Sequence, residues 1–553
     1  MIASHAWRRG LSRRSLLAGL GFLGACALPQ GRALLDRTSA RGSPRNIVIV
    51  MADDMGYADL GCFGSEVPTP NLDRLASRGM RFTQFHSTGK CFPSRSALLT
   101  GLYPQQTGTD RSARAPMQGG VTIAESLRAA GYRTLMVGKH HSTTHPMDRG
   151  FDHYRGLRDG SANYFNPGTV PRTGEPEPAR KEPEGRWWCF DRDCRRGYLP
   201  DTADFYATDA FTDWALELLD RYRDAPVFLY LAYTAPHDPL QARPEDMARF
   251  RGRYDAGYHA VAEARYRRQI ALGIVDSAAP RAAPGWPDWD TLSAEERADE
   301  ARRMETYAAM IARLDANIGR VIARLEAQGQ LDDTLFLFTS DNGASAEEVL
   351  GADGADIGAD HPIGSVGRWA SLRAGWAEVA NTPLRYFKNY SFNGGLLVPT
   401  LVHWPAGGIP AGAIRRDPLH LIDIHPTLLG IVGKGFDDSL GPDSHPALPL
   451  EGLDVSRLLA DGDGMVQLPD RALANRWGGG RMIRKAGWKL VSHAADTGRD
   501  AGEWELYDLE RDPCETRNLA RREPDRAAAL AADYRGWEAR VRSGSPLTSP
   551  VAD

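Results

Sequence analysis

The chain has 553 residues, of which 42% are apolar and 25% are charged, and its formal net charge at pH 7 is −4. This composition is typical of an ordinary water-soluble globular protein; it has no basic excess, which excludes nucleic acid as the expected partner and favours a small molecule. The length exceeds that of a usual single hydrophobic core, so we expect one large domain and one smaller domain.

The first predicted element is an export signal, which together with a linker occupies residues 1–42. Arg13 and Arg14 precede an apolar run, Leu16–Leu28, that is too short to span a bilayer. The paired arginines resemble a twin-arginine signal, and the sequence LGAC ending at Cys26 resembles a lipoprotein cleavage box. We expect a periplasmic or otherwise exported protein, attached to a membrane only if Cys26 is lipidated. A buried hydrophobic helix is the alternative.

Four apolar runs follow along the chain, and each stops abruptly at polar or charged residues. Their sequences are NIVIVMADD, YRTLMVGKHH, VFLYLAYTAPH and TLFLFTSDNG. Such runs are typical of parallel strands buried on both faces. Ligands of an open α/β sheet bind beyond the carboxyl ends of its strands, so we expect the polar residues there to meet at one site. These residues are Asp53, Asp54, Lys139, His141, His237, Asp341 and Asn342.

Helical patterns alternate with these strands, for example over residues 304–329, where apolar residues recur at helical spacing. The alternation predicts an α/β fold over residues 43–455, with a large mixed, mostly parallel sheet sandwiched by helices. Residues 456–553 contain short strand-like segments and a helix from Pro524 to about Val541. They predict a smaller C-terminal α+β domain with a short antiparallel sheet.

Three irregular insertions, residues 166–185, 280–289 and 344–379, interrupt this scheme. Long loops in a compact domain are usually functional or mobile. The last insertion follows Asp341 and Asn342 directly, so we expect it to form part of the substrate rim.

The six cysteines contain no Cys-x-x-Cys pair, which argues against a disulfide scaffold or a zinc cluster. Cys189 and Cys194 could form a bridge, and the sequence leaves this pairing open.

The strand ends also supply a candidate metal site. Asp53, Asp54, Asp341 and Asn342 offer three carboxylates and an amide oxygen, which suit a hard cation. We expect Ca²⁺, with Mg²⁺ as the alternative. A single pair of adjacent acidic residues could merely cap a helix or solvate a loop, but carboxylates gathered from two buried strands would repel one another without a cation.

The segment KCFPSRSALLTG places a cysteine at the start of a predicted helix. It resembles the signature of the sulfatase family, within the alkaline phosphatase superfamily, at Cys91, Pro93, Ser94, Arg95, Leu99, Thr100 and Gly101. Further segments resemble the family in the same order: MADDMGYADLGCFGS, GYRTLMVGKHH, RGFDHYRG, FLYLAYTAPHDPLQAR, FTSDNGA, NTPLRYFKNYSFNGGLLVPTLVHWP and WELYDLERDPCETRNLA. The NTPLRYFK block and the chain length look most like the bacterial arylsulfatases.

The resemblance implies that a maturation enzyme oxidises Cys91 to Cα-formylglycine. The hydrated aldehyde would be a ligand of the cation, beside Asp53, Asp54, Asp341 and Asn342. One hydroxyl of the hydrated aldehyde, deprotonated with help from Asp341, would attack the sulfur of a small-molecule sulfate ester.

The resemblance also implies roles for five basic residues. His237 would contact the sulfate or protonate the departing oxygen, and Lys388 would pair with the sulfate oxygens. His141, with Lys139 nearby, would remove a proton from the second hydroxyl so that the aldehyde re-forms. Arg95 would orient the diol.

Two positions depart from the family pattern. His140 stands where relatives commonly have tryptophan, and Asn393 stands where many have glutamate. We expect both to bear on substrate fit more than on chemistry.

The expected function is hydrolysis of aryl or similar sulfate monoesters. A phosphonate or phosphate ester hydrolase of the same superfamily and a carbohydrate sulfatase are alternatives. A non-catalytic protein that binds anions beside an unmodified Cys91 is a further alternative.

Overall fold

The computed structural model describes residues 42–277, 279–282, 288–435, 448–460, 471–493 and 502–543. The predicted export signal, with Arg13, Arg14 and Cys26, lies outside these ranges. Within them, no helix has both the length and the apolar character needed to cross a bilayer.

The described residues form sixteen strands and thirteen α-helices. The strands are β1 (Asn46–Asp53), β2 (Met80–Phe82), β3 (Phe85–His86), β4 (Arg133–Gly138), β5 (His153–Leu157), β6 (Trp187–Phe190), β7 (Asp193–Arg196), β8 (Val227–Pro236), β9 (Thr334–Ser340), β10 (Thr400–His403), β11 (Ala413–Arg415), β12 (Leu419–His420), β13 (Leu473–Trp477), β14 (Gly480–Lys485), β15 (Trp488–His493) and β16 (Glu505–Asp508). The helices are α1 (Pro70–Ser77), α2 (Cys91–Thr100), α3 (Pro104–Thr107), α4 (Ile123–Ala129), α5 (Ala207–Arg221), α6 (Pro244–Ala248), α7 (Gly257–Ala271), α8 (Ala294–Ala327), α9 (Arg373–Ala380), α10 (Asn393–Leu396), α11 (Ile424–Ile431), α12 (Ser456–Ala460) and α13 (Pro524–Ser543).

A ten-stranded sheet forms the centre of the fold, in the order β11-β2-β10-β9-β1-β8-β4-β5-β6-β7. The five strands β9, β1, β8, β4 and β5 run parallel to one another, whereas β10, β6 and β7 are antiparallel to their neighbours. Every residue of β1 is buried, because the strand lies between two others and is covered on both faces. The predicted α/β class with a mixed, mostly parallel sheet is confirmed.

Helices cover both faces of this sheet. Val48 and Val50 of β1 belong to a core cluster with α1, α5 and α8, whereas Ile47 and Ile49 belong to a second cluster with α2, α4 and α11. Successive side chains of a strand point to opposite faces, so one apolar strand can serve both clusters. The predicted sandwich of helices around the sheet is therefore confirmed.

Helix α8 begins at Ala294, well before the predicted start at residue 304. The hydroxyl of Ser293 accepts a hydrogen bond from the backbone N–H of Glu296, whose carboxylate accepts one from the backbone N–H of Ser293. This capping box fixes the start of the helix. The prediction missed it because the first turns are rich in charged residues and lack the apolar stripe.

The C-terminal strands β13, β14, β15 and β16 form an antiparallel sheet, in agreement with the prediction. Ala474 and Ile483 of this sheet share an apolar cluster with Tyr534 of α13 and with Ala97 of α2. The C-terminal sheet therefore packs against the helix that begins at Cys91. The proposed division of the chain after residue 455 stays a prediction.

The outermost hairpin of the large sheet carries a disulfide bond. Cys189 of β6 and Cys194 of β7 are opposite each other in the antiparallel register and are bonded. The pairing that the sequence left open is thus present in the structure.

Asn393, the first residue of α10, forms hydrogen bonds with three residues near the C-terminus. Its Oδ1 accepts a hydrogen bond of 2.8 Å from Lys489 Nζ, and its Nδ2 donates one of 2.9 Å to the carbonyl of Pro513. Its backbone N–H donates to the Glu515 carboxylate, which also forms an ion pair of 2.6 Å with Lys489. The side chains of Lys489 and Glu515 are fully buried, so neither charge is solvated by water.

Replacing Lys489 with methionine is expected to lower the free energy of unfolding by about 3–5 kcal/mol, because Glu515 then remains buried without its cation. Urea unfolding of Lys489→Met measures this loss. The double variant Lys489→Met/Glu515→Gln should recover most of it, since no unpaired charge remains.

The exposed pair of Lys485 and Asp533, at 3.0 Å, is the matched control. Lys485→Met should change the free energy of unfolding by less than about 1 kcal/mol, because the pair is exposed to solvent. Equal effects of Lys489→Met and Lys485→Met would contradict the role given to the buried pair.

Candidate active site

The carboxyl ends of β1, β9, β8 and β4 lie side by side at one edge of the large sheet. In the parallel registers, Ala52 pairs with Ser340, Asp53 with Pro236, and Gly138 with Ala232. The polar residues that follow these strands therefore meet in space, as the sequence predicted. The members of this group are all buried or nearly so: Asp53, Asp54, Lys139, His141, His237, Asp341 and Asn342.

Helix α2 brings Cys91 to the same place. Cys91 is the first residue of this helix and is 2% exposed. Its sulfur, an Asp53 oxygen and an Asp341 oxygen all lie within 4.8 Å of one another. The first N–H groups of a helix have no partners within the helix, and they favour an anion beside them.

The oxygen donors fit a hard cation. Asp53 Oδ1 and Asn342 Oδ1 are buried and accept no hydrogen bond from any described residue. Asp54 lies beside them, and its Oδ1 accepts a hydrogen bond of 2.6 Å from Asn342 Nδ2. Burial and the nearby Asp53 carboxylate raise the pKa of Asp341 to about 7. Asp53 Oδ1 lies 3.5 Å from the Arg95 guanidinium. A divalent cation would bind Asp53 Oδ1 and Asn342 Oδ1 and relieve the repulsion between Asp53 and Asp341.

Two of the site residues adopt a backbone conformation that is uncommon for residues other than glycine. Asp54 has φ 62° and His141 has φ 61°. The backbone N–H of Asp54 donates to Asp341 Oδ1 at 3.2 Å, and that of His141 donates to the carbonyl of Arg158 at 2.9 Å. Such conformations cost free energy and concentrate at functional sites, where the surrounding structure holds them.

Arg95 lies one turn along α2 from Cys91 and binds the acidic group. Its guanidinium donates to Asp341 Oδ2 at 2.7 and 3.1 Å and to the carbonyl of Lys139 at 3.1 Å. Lys139 Nζ in turn lies 2.5 Å from Asp53 Oδ2. Burial raises the pKa of Asp53, but the positive charge of Lys139 and its neighbours outweighs it, so this pKa lies below its usual value.

Lys388 and His237 approach Asp54 from the other side. Lys388 Nζ lies 2.8 Å and His237 Nε2 lies 3.4 Å from Asp54 Oδ2. Burial lowers the pKa of Lys388, yet the carboxylates of Asp54 and Glu347 raise it well above its usual value. For His237, burial likewise lowers the pKa, and Asp54 and Asp238 together raise it above its usual value. Both side chains are therefore suited to hold a proton beside an anion.

The pKa of His141 is shifted in the opposite direction from those of Lys388 and His237. Burial, followed by the positive charge of Lys139, lowers the pKa of His141 well below its usual value. Its Nδ1 has no hydrogen-bond partner among the described residues. A neutral imidazole with a free nitrogen is suited to accept a proton.

Sequence reasoning missed Glu347, which comes from the predicted rim insertion. Its carboxylate lies 2.7 Å from Lys388 Nζ, accepts a hydrogen bond of 3.0 Å from Asn389 Nδ2, and pairs with Lys90. Trp477 of β13 donates to Asn389 Oδ1 at 2.9 Å, so the C-terminal sheet also reaches the site. No local sequence pattern identified Glu347, because it lies in an irregular insertion.

The residue His140, which departs from the family pattern, is 2% exposed. Its Nε2 lies 2.7 Å from the carbonyl of Thr144, and burial lowers the pKa of His140 to about 3. It is held as a neutral side chain next to His141.

The site opens to solvent on the side of the rim insertion. The exposed side-chain fraction is 38% for Glu347, 15% for Lys90 and 12% for His237. The acidic residues at the centre are almost completely buried.

The chain is similar to known proteins in both sequence and fold. Residues 45–434 match the family model described as Sulfatase. An arylsulfatase of Klebsiella aerogenes is 34% identical over 452 residues, which cover 75% of this chain and 91% of that protein. The crystal structure of Ps i-CgsB in complex with k-i-k-neocarrahexaose is 26% identical, with a TM-score of 0.61 and coverage of 90% of this chain and 92% of that chain. A phosphonate monoester hydrolase of Agrobacterium radiobacter is similar in fold, with 20% identity, a TM-score of 0.58 and coverage of 90% and 96%.

Proposed function

Because the chain belongs to the sulfatase family and is an arylsulfatase-like hydrolase of sulfate esters, we propose that it cleaves aryl sulfate monoesters to an alcohol and inorganic sulfate. The proposed site comprises a formylglycine made from Cys91 and a bound Ca²⁺. One observation carries the proposal: the Cys91 sulfur lies within 4.8 Å of oxygens of Asp53 and Asp341. Cys91 also begins a helix, and the buried basic side chains of Arg95, Lys139 and Lys388 lie in the same site.

The cation would be held by Asp53, Asp54, Asp341 and Asn342 together with residue 91, with Mg²⁺ as the alternative to Ca²⁺. When bound, it supplies positive charge that stabilises the negative charge of the sulfate group and of an oxygen nucleophile. Arg95 and Lys139 hold the Asp341 and Asp53 carboxylates in place, which supports a rigid donor set.

A thiol at position 91 is poorly suited to this site. Burial raises the pKa of the Cys91 thiol, so the sulfur stays protonated, and sulfur is a weak ligand for a hard cation. A formylglycine supplies the oxygen nucleophile that the site needs. The proposal therefore includes a formylglycine-generating maturation enzyme as a partner, and it includes export of the protein, as the N-terminal sequence predicts.

The basic residues of the site would stabilise negative charge and transfer protons. Lys388 stabilises negative charge on the sulfate oxygens, and His237, whose raised pKa keeps it protonated, donates a proton to the departing alcohol oxygen. His141, which is neutral, accepts a proton from residue 91 through its free Nδ1. Asp341, whose carboxylate lies within 4.8 Å of the Cys91 sulfur, would take up the proton of the nucleophile.

Steady-state rates on 4-nitrophenyl sulfate, phenyl phosphonate esters and 4-nitrophenyl phosphate test the proposal. We expect kcat/KM to be highest for the sulfate. Faster hydrolysis of the phosphonate or phosphate ester would instead support the corresponding alternative function. Turnover of sulfated saccharides alone would support a carbohydrate sulfatase, and binding without turnover of any ester would support the non-catalytic alternative.

Replacing His237 with glutamine is expected to lower kcat/KM by about a hundredfold for alkyl sulfates but only a fewfold for 4-nitrophenyl sulfate. A poor leaving group needs a proton during cleavage, whereas 4-nitrophenolate does not. Rates of both substrates with both proteins give the comparison. Equal losses for the two substrates would contradict the role of His237 as a proton donor.

A further inference from the structure

Glu347 differs from the other carboxylates of the site in its position. It lies at the opening, with 38% of its side chain exposed, and its Oε2 is 2.7 Å from Lys388 Nζ. Among the described residues, Lys388 also pairs with Asp54, at 2.8 Å. An ammonium group has three N–H donors, so these two carboxylates leave one donor for an incoming ester oxygen.

Glu347 is also held firmly in its charged form. Lys90 and Asn389 bind its Oε1, and Trp477 in turn fixes Asn389. Burial raises the pKa of Glu347, but Lys388 and Lys90 outweigh it, so this pKa lies well below its usual value. A permanent negative charge therefore faces any anion that binds Lys388.

The negative charge of Glu347 repels a bound anion more strongly when the anion carries more negative charge. A sulfate monoester carries one negative charge, whereas the inorganic sulfate that is released carries two, as does a phosphate monoester above pH of about 6. Coulomb repulsion is proportional to the charge of the ligand, so a fixed carboxylate penalises a dianion about twice as much in free energy as a monoanion.

We propose that Glu347 is a specificity-determining residue that makes the site favour singly charged esters over doubly charged anions. It thereby promotes release of inorganic sulfate and disfavours phosphate monoesters. This inference rests on the proposed function, because it assigns Lys388 to the sulfate group.

The test compares Glu347→Gln with the unaltered protein at pH 8. Inhibition of 4-nitrophenyl sulfate hydrolysis is measured with inorganic sulfate as the dianion and with benzenesulfonate as the monoanion. In Glu347→Gln, the inhibition constant of sulfate should fall by about tenfold more than that of benzenesulfonate. The reason is that the loss of the carboxylate removes about twice as much repulsion energy for the dianion as for the monoanion. The ratio of kcat/KM for 4-nitrophenyl phosphate over 4-nitrophenyl sulfate should rise by a similar factor.

Two further variants serve as controls. Glu347→Asp keeps the charge and should keep the ratio of the unaltered protein. Glu348→Gln removes the adjacent carboxylate, which pairs with Arg373 at 3.4 Å, and should leave the ratio unchanged within about twofold.

The outcomes are distinct. If Glu347 only positions Lys388, both inhibition constants will change by the same factor, and the inference is wrong. It is also wrong if neither changes. Calorimetric titration of inorganic sulfate and benzenesulfonate into the same proteins measures the same ratio without turnover. Absence of sulfatase activity would therefore refute the proposed function and still leave the inference about Glu347 open to this test.

Discussion

Replacing Cys91 with alanine is expected to lower kcat/KM for 4-nitrophenyl sulfate by at least about 10⁴-fold, as removal of an enzyme's nucleophile does. Alanine cannot be converted to an aldehyde, so no oxygen nucleophile forms beside Asp53 and Asp341. The volume change is small and Cys91 lies in the first turn of α2, so the fold should persist. Steady-state rates and circular dichroism spectra of the purified variant check both statements.

The control is Cys62→Ala, because Cys62 is also a buried free cysteine but belongs to the apolar cluster that contains α1 and α8. It should retain nearly full activity. The intact mass of the tryptic peptide that spans Cys91 gives an independent readout: conversion of the thiol to an aldehyde lowers the mass by about 18 Da. An active protein whose peptide retains the mass of unmodified cysteine would overturn the proposed role of Cys91.

Removing divalent cations with a chelator is expected to lower kcat by at least about 10³-fold, because a bound cation contributes several kcal/mol of charge stabilisation. Ca²⁺ should restore the activity, and Mg²⁺ should restore less of it. Ca²⁺ should also raise the melting temperature of the metal-free protein, because it binds only the folded chain and relieves the repulsion between Asp53 and Asp341. Rates, metal content and thermal unfolding are measured on the same samples.

The variant Asp341→Asn should abolish both responses to Ca²⁺. Asp213→Asn is the matched control, because Asp213 forms an exposed ion pair with Arg320, and it should respond to Ca²⁺ as the unaltered protein does. Full activity in samples shown to be free of metal would contradict the assignment of the acidic group.

The sequence predicted those parts of the site that follow from strand ends. Asp53 and Asp341 each follow an apolar run of the kind typical of a buried strand, and parallel strands bring their carboxyl ends together. The resemblance at Cys91 and Arg95 added the residue roles, which strand patterns alone do not contain. Helix α8 shows the limit of periodicity, since its charged first turns carry no apolar stripe.

Glu347 and Trp477 were not predicted, for two physical reasons. Glu347 lies in an irregular insertion, where no repeating pattern tells which side chain points inward. Trp477 reaches the site only because the C-terminal sheet packs against α2, which is a long-range contact that local sequence does not encode. Both residues bind neighbours far away along the chain, and such contacts become visible only in three dimensions.

The burial of Cys91 has a consequence for how active protein can be produced. Only 2% of this residue is accessible in the folded chain, so the proposed maturation enzyme would have to act on Cys91 before the chain folds. Molecules that fold before this oxidation would keep the thiol and would lack the proposed nucleophile. The specific activity of a preparation should therefore depend on the supply of maturation enzyme relative to the pace of translation, and it should not improve when that enzyme is added afterwards to native material.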